Sequence, residues 1–191
     1  MTARRKCTFG DIPKEHYGAI LADPPWRFET WSPKGKDRSP DRHYPTLGYP
    51  MIQCFDVASK GKKDCVLFLW VTWPLLLDGI KLIERWGFKY KTCGFAWLKI
   101  DKAQKPWRGT GYWTRANSEV CLLATRGHPK RLDAGVAQAI LEERREHSRK
   151  PDCIYERIEQ LVGGPYLELF ARQHRRGWTS WGNQVERFGV I

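Results

Sequence analysis

No stretch of the sequence approaches the ~18 consecutive apolar residues of a membrane span, and Met1, Thr2, Ala3 and Arg4 open the chain without the apolar run of a signal peptide. The expectation is a soluble, intracellular, cytoplasmic protein with no membrane partner. Closely spaced cysteines are also missing: even the nearest two of Cys7, Cys54, Cys65, Cys93, Cys121 and Cys153 stand too far apart for CxxC chemistry. That excludes a local zinc or dithiol signature, and no metal site is expected. Repeats, low-complexity tracts and linkers are absent as well, so 191 residues with 41% hydrophobic content fit one folded domain over residues 1–191.

Acidic residues are the remaining shortage. Against 33 Lys+Arg there are 21 Asp+Glu, which leaves a net charge of +12 and a pI near 9.6. A solvated basic surface and a nucleic-acid partner both produce such a surplus. Its distribution favours the partner. Cations cluster in segments of loop-like composition: Lys34, Lys36, Arg38 and Arg42; Lys99, Lys102, Lys105 and Arg108; Arg126, Lys130 and Arg131; Arg172, Arg175 and Arg176. Trp107-Arg108 and Trp113-Thr114-Arg115 interleave aromatics with these charges, a combination suited to neutralising phosphates and stacking on bases.

Residues 17–22 (YGAILA) form an apolar run ending at Asp23-Pro24-Pro25-Trp26, where two prolines can neither continue a sheet ladder nor start a helix freely. This predicts a strand that delivers a rigid loop, followed by a long irregular loop over 27–50 with four prolines. Residues 65–71 (CVLFLWV) predict a strand buried on both faces of a largely parallel sheet. A helix follows, with Pro74 in its first turn, Leu76, Ile80 and Ile83 on one face, and Gly87 to end it. Residues 95–100 and 119–125 predict two further strands separated by a second long loop over 101–117. A helix over 152–161, with Ile154, Ile158 and Leu161 at helical spacing, precedes a strand over 166–171. The alternation predicts an α/β domain with a mostly parallel sheet. Residues 138–146 (QAILEERRE) have helical composition, but their consecutive apolar residues make no helical face.

Open α/β sheets bind ligands outside the carboxyl ends of their strands, which is where Asp23 to Trp26 is expected. The tetrapeptide suits one difficult reaction. An adenine amine is a poor nucleophile because its lone pair is delocalised into the ring, and two hydrogen-bond acceptors favour the pyramidal nitrogen that can react. The Asp23 carboxylate can take one N–H, a carbonyl of Pro24 or Pro25 the other, and Trp26 offers a flat face to a base. In isolation the tetrapeptide is equally well read as a turn after a strand, capped by Trp26.

Asp-Pro-Pro-Trp resembles the catalytic motif of amino methyltransferases, and further blocks decide between those readings. They are Phe68-Leu69-Trp70-Val71-Thr72; Gly111-Tyr112-Trp113 with Glu119-Val120-Cys121-Leu122; Ser148-Arg149-Lys150-Pro151-Asp152 with Ile154-Tyr155; Glu168-Leu169-Phe170-Ala171-Arg172; and Trp178 with Gly182-Asn183-Gln184. In order and kind they resemble the S-adenosylmethionine-dependent N6-adenine methyltransferases typified by the catalytic subunit of the messenger-RNA adenosine methyltransferase, a family with bacterial and phage members. The blocks run from about Ala19 to Gln184.

The resemblance implies a Rossmann-like methyltransferase fold whose catalytic loop precedes the main cofactor-binding strand, and a strand at 138–142 against its helical composition. It implies catalytic roles for Asp23, Pro24, Pro25 and Trp26, and S-adenosylmethionine as cofactor. Asp23, Lys150, Arg172, His174, Asn183 and Gln184 are the implied cofactor-binding residues, with Lys150 at the cofactor's carboxylate. Trp26, His43, Tyr44 and Arg108 are the candidate substrate contacts. Two departures from the family pattern stand out: Arg175 replaces an asparagine of the eukaryotic enzymes, and the segment before His43-Tyr44-Pro45-Thr46 is more basic.

The expected reaction is in-line methyl transfer from the cofactor's sulfonium to the N6 amine of adenine in nucleic acid. The short chain resembles stand-alone bacterial or phage members, which puts DNA ahead of RNA. Alternatives are an RNA adenine methyltransferase and a catalytically silent nucleic-acid-binding subunit. Family members often work as dimers, and a homodimer would extend the basic surface.

Overall fold

A computed structural model describes residues 9–10, 12–27, 46–109, 111, 113–146 and 148–191. His43, Tyr44, Cys7, and the cations Lys34, Lys36, Arg38 and Arg42 lie outside them. The described elements are β1 (Tyr17–Ala22), α1 (Tyr49–Ile52), β2 (Gly61–Val71), α2 (Leu76–Arg85), β3 (Lys89–Ile100), β4 (Ser118–Arg126), β5 (Ala139–Glu143), α3 (Cys153–Leu161), β6 (Tyr166–Leu169) and β7 (Trp178–Trp181).

The strands form one sheet in the order β5-β3-β4-β2-β1-β6-β7. β4 is antiparallel to both neighbours and every other pairing is parallel, giving the expected mostly parallel α/β sheet of Rossmann-like type. Period-two alternation sorts the strand residues into two cores. Ile20, Ala22, Leu67, Leu69, Leu122, Leu167 and Leu169 face the side covered by Leu82 and Ile83 of α2. Ala19, Leu21, Phe68, Trp70, Phe95, Trp97, Cys121 and Ile140 face Ile154, Tyr155 and Ile158 of α3. Full burial of Leu82 and Ile83 contributes on the order of 1.5–3 kcal/mol each.

Gly87 ends α2 as its position predicts. At φ +80° it occupies the left-handed region, and the Phe88 and Gly87 amides bond the Ile83 and Glu84 carbonyls, so carbonyls at the end of the helix are satisfied. The ambiguous segment is a strand, β5, parallel to β3 from Ala96↔Ala139 to Ile100↔Glu143. Tertiary pairing decides there over helical composition. Several bounds differ from sequence expectation. The 27–50 loop gives way to α1 at Tyr49, β2 begins at Gly61 rather than Cys65 and β3 at Lys89 rather than Phe95, β6 ends at Leu169, before the left-handed Phe170, rather than at Ala171, and the aromatic tail contains β7, which extends the sheet beyond β6.

Candidate active site

All the charged groups described next meet at one edge of the sheet. The carboxyl ends of β1, β2, β3, β5, β6 and β7 point there, and the reversed β4 brings its amino end to the same edge. Asp23 directly follows β1, Glu119 is the second residue of β4, and Lys150 follows β5 just before α3. Lys150 Nζ donates to Asp23 Oδ2 at 2.7 Å and lies 3.3 Å from Glu119 Oε2; Glu119 Oε1 accepts from Lys99 Nζ. The result is an alternating row, Asp23⁻–Lys150⁺–Glu119⁻–Lys99⁺, with every side chain less than one-fifth exposed.

Burial and pairing act differently on the two acids. Burial pushes the Asp23 carboxyl up; Lys150 opposes this, and the negative Glu119 reinforces it. For Glu119 burial also pushes upward, but Lys150 and Lys99 together overcome it and hold the carboxyl down at about 2. Glu119 is therefore the firm anion of the row, and Asp23 is the more basic carboxylate. Glu168, buried in β6 beside β1, accepts a 2.9 Å bond from the Tyr155 hydroxyl and is pushed up to about 8, mainly by burial.

Two adjoining clefts share Asp23. The outer one, about 370 Å³, is lined by Asp23, Pro24, Pro25, Ser148, Phe170, Arg172, Asn183 and Gln184. The inner one, about 400 Å³, extends past Lys150 to Trp70, Tyr155, Glu168, Gln173 and Phe188. Backbone geometry is special at this point: Phe170 (φ 63°) and Ser148 (φ 63°) both hold left-handed conformations that cost non-glycine residues of order 1–3 kcal/mol. Gly182 lies so close to Ala171 that a Cβ there would collide with that residue's backbone oxygen and nitrogen, and the Ala171 amide bonds the Trp181 carbonyl. This close approach sets Asn183 and Gln184 beside Asp23.

The structure brings together Asp23, Pro24, Pro25, Arg172, Asn183 and Gln184, with Lys150 next to them. The Pro24 carbonyl accepts the Trp26 amide at 2.7 Å and the Pro25 carbonyl accepts the Leu47 amide at 2.8 Å, so each retains one further acceptor site. Trp26 is a core residue, 9% exposed, whose indole N–H donates to the Trp70 carbonyl at 3.0 Å. His174 lines neither cleft and is tied to Glu186 at 2.9 Å. Arg108 lies in a separate recess with Lys105, Trp107, Arg115 and Asn117, where the Arg144 guanidinium sits 4.5 Å from the Trp107 ring.

Reasoning from sequence did not single out Lys99, Glu119, Tyr155, Glu168, Gln173 or Phe188. For Glu119 and Glu168 a signal existed, since each is an acid set in an otherwise apolar strand run. Gln173 and Phe188 carry no such mark, and only the return of the chain beside β6 places them. Among the described residues no group of His, Cys, Asp and Glu is disposed to hold a metal ion, and no helix is long and apolar enough to cross a membrane.

Comparison with known proteins gives the family. The MT-A70 family model matches residues 17–184. The type II methyltransferase M.MunI of Mycoplasma sp is 31% identical over 195 residues, covering 93% of this chain and 81% of that protein. An MT-A70-like N(6)-adenosine-methyltransferase of Arabidopsis thaliana is 35% identical over 183 residues, and the human N(6)-adenosine-methyltransferase catalytic subunit METTL3 is 32% identical over 181. Each covers 92% of this chain, which spans 24% and 29% of those two proteins.

Proposed function

The chain belongs to the MT-A70 family, and from that premise we propose that it transfers a methyl group from S-adenosylmethionine to the N6 amine of adenine in nucleic acid, DNA ahead of RNA. The observation that carries this reading is the Asp23 carboxylate at the mouth of two clefts, bound to Lys150 through Oδ2 and without a hydrogen bond to Oδ1 among the described residues. DNA is put ahead because the relatives include a type II methyltransferase, that of Mycoplasma sp, at 31% identity.

The residues present fit the cofactor in kind. Its amino-acid end carries a carboxylate and an ammonium, matched by Lys150 and Arg172 on one side and by Asp23 on the other. Asn183 and Gln184 supply amides for ribose hydroxyls and adenine edges. Gln173 Oε1 and Arg149 Nε, both on residues of the inner cleft, are buried polar atoms with no partner among the described residues, and a polar ligand would satisfy them. When bound, the cofactor supplies an electrophilic methyl group.

The chain's own part is to prepare the nucleophile. Asp23 accepts one N–H of the adenine amine, and the remaining lone pair of the Pro24 or Pro25 carbonyl accepts the other, which turns the nitrogen lone pair out of the ring plane. Because burial pushes its carboxyl up, Asp23 is a stronger acceptor than a surface aspartate, and it stabilises the positive charge that develops on nitrogen. Lys150 fixes the Asp23 carboxylate, and Glu119 fixes Lys150. The Trp26–Trp70 hydrogen bond anchors the loop, and burial leaves little of the Trp26 indole open to a base. His43 and Tyr44 remain candidates beside the base. Arg108, with Trp107 and the fully exposed Trp113, presents a basic aromatic surface for the strand that carries it.

Purified protein incubated with methyl-labelled S-adenosylmethionine and duplex DNA, single-stranded DNA or RNA should yield labelled N6-methyladenine in the DNA pools by nucleoside mass spectrometry. Label in RNA alone would overturn the DNA preference. No label in any pool together with no cofactor binding would favour the silent subunit.

A further inference from the structure

The family model ends at residue 184, yet the segment after it reaches back into the inner cleft. It is pinned along its length: the Phe188 amide donates to the Arg172 carbonyl at 3.0 Å, the His174 amide to Gly189 at 2.8 Å, and the Ile191 amide to His174 at 2.9 Å. These bonds hold the half-buried Phe188 ring in the cleft wall. Three guanidinium groups gather at that ring, with Arg149, Arg187 and Arg172 carbons 4.9, 5.4 and 6.0 Å from its centre.

Like charges converge in this way only where something offsets their repulsion. The negative face of the ring does part of that. Carboxylates do the rest for Arg149, which lies 3.3 Å from Glu146 and 3.5 Å from Asp152. Arg149 and Arg172 both line the inner cleft, and the Arg149 side chain, only 16% exposed, keeps a buried Nε without a partner. A ring that fixes two cleft cations determines where an anionic group can sit.

Resting on the cofactor reading above, we infer that Phe188 is a positioning residue for the methyl-donor pocket: its π-face holds Arg149 and Arg172 at the inner cleft, so that residues beyond the family-matched part of the chain set the affinity for the carboxylate-bearing cofactor. The residue acts through the two arginines and touches no reacting atom.

The test is binding of S-adenosylhomocysteine by calorimetry to wild type, Phe188→Ala, Phe188→Leu, Phe188→Tyr and Arg149→Gln, with melting temperatures measured on the same samples. Phe188→Tyr should bind within about two-fold of wild type, while Phe188→Leu, which keeps apolar bulk but has no π-face, should lose roughly ten-fold. Arg149→Gln should lose a similar factor, and the Phe188→Leu/Arg149→Gln double variant less than the product of the two. Wild-type affinity in Phe188→Leu, or strict additivity in the double variant, would overturn the inference. Wild-type protein that binds no S-adenosylhomocysteine would instead overturn the cofactor reading, and this inference with it.

Discussion

Asp23 and Glu119 stand beside or on strand ends and Lys150 in the connection between β5 and α3, each less than one-fifth exposed, whereas Arg108, Trp113 and Arg115 sit exposed in the 101–117 loop. The two regions carry charge in different dielectrics. A unit charge pair at ~4 Å is worth roughly 4 kcal/mol at the effective dielectric of a protein surface layer and about 1 kcal/mol in bulk water. In the strand-borne row each charge depends on its neighbours, and removing one leaves another buried and unpaired. On the loop each cation acts almost alone and is screened by salt. The first region can tune chemistry; the second can only attract and hold.

The sharpest way to probe that contrast is Lys150→Met. It leaves Asp23 and Glu119 facing each other, and a stability loss of roughly 3 kcal/mol is expected in urea melts. The Asp23 carboxyl, already raised, should rise further, so the acid limb of the rate profile moves to higher pH. An unmoved limb would break the coupling between the two residues. Gly182→Ala comes next. Its Cβ meets the Ala171 backbone, and a loss of roughly 1–3 kcal/mol with weakened cofactor binding is expected from thermal melts and calorimetry.

Glu168 gives a pH-dependent effect. Its carboxyl is raised from an ordinary value of 4.5 to about 8, so between those values the unfolded chain releases a proton that the folded chain keeps. Its contribution is complete below about 4.5 and lost as the pH rises through about 8. Glu168→Gln should therefore flatten the fall in melting temperature over that window. A parallel fall in variant and wild type would show that Glu168 does not titrate there. The loop region should respond least. Arg108→Ala with Arg115→Ala should weaken nucleic-acid binding uniformly across sequences and reduce the salt slope by about 2, without moving the pH profile.

The same contrast explains what could be read from the sequence. β1, the apolar part of β2, α2 and α3 were legible because continuous or periodic apolar runs and a terminating Gly87 dictate them locally. β7 and β5 were not legible from local pattern. β5 takes its conformation from β3, a parallel partner distant in the chain, and β7 from the parallel β6 just before it, while only family resemblance suggested β5. Asp23, Lys150, Asn183 and Gln184 were found through motifs, whereas Glu119 stood in a matching block without a role, because that role depends on β4 running backwards and presenting its amino end at the site. His174 shows the opposite failure: the resemblance implies a cofactor contact for it, but its side chain turns to Glu186.

The central claim is that Asp23 acts as the hydrogen-bond acceptor that prepares the adenine amine. Single-turnover methyl transfer by Asp23→Asn, at saturating cofactor and nucleic acid, tests it most directly. The variant keeps the shape but exchanges the carboxylate for a neutral amide, and the rate should fall roughly 10²–10³-fold. A rate within about three-fold of wild type would contradict the account.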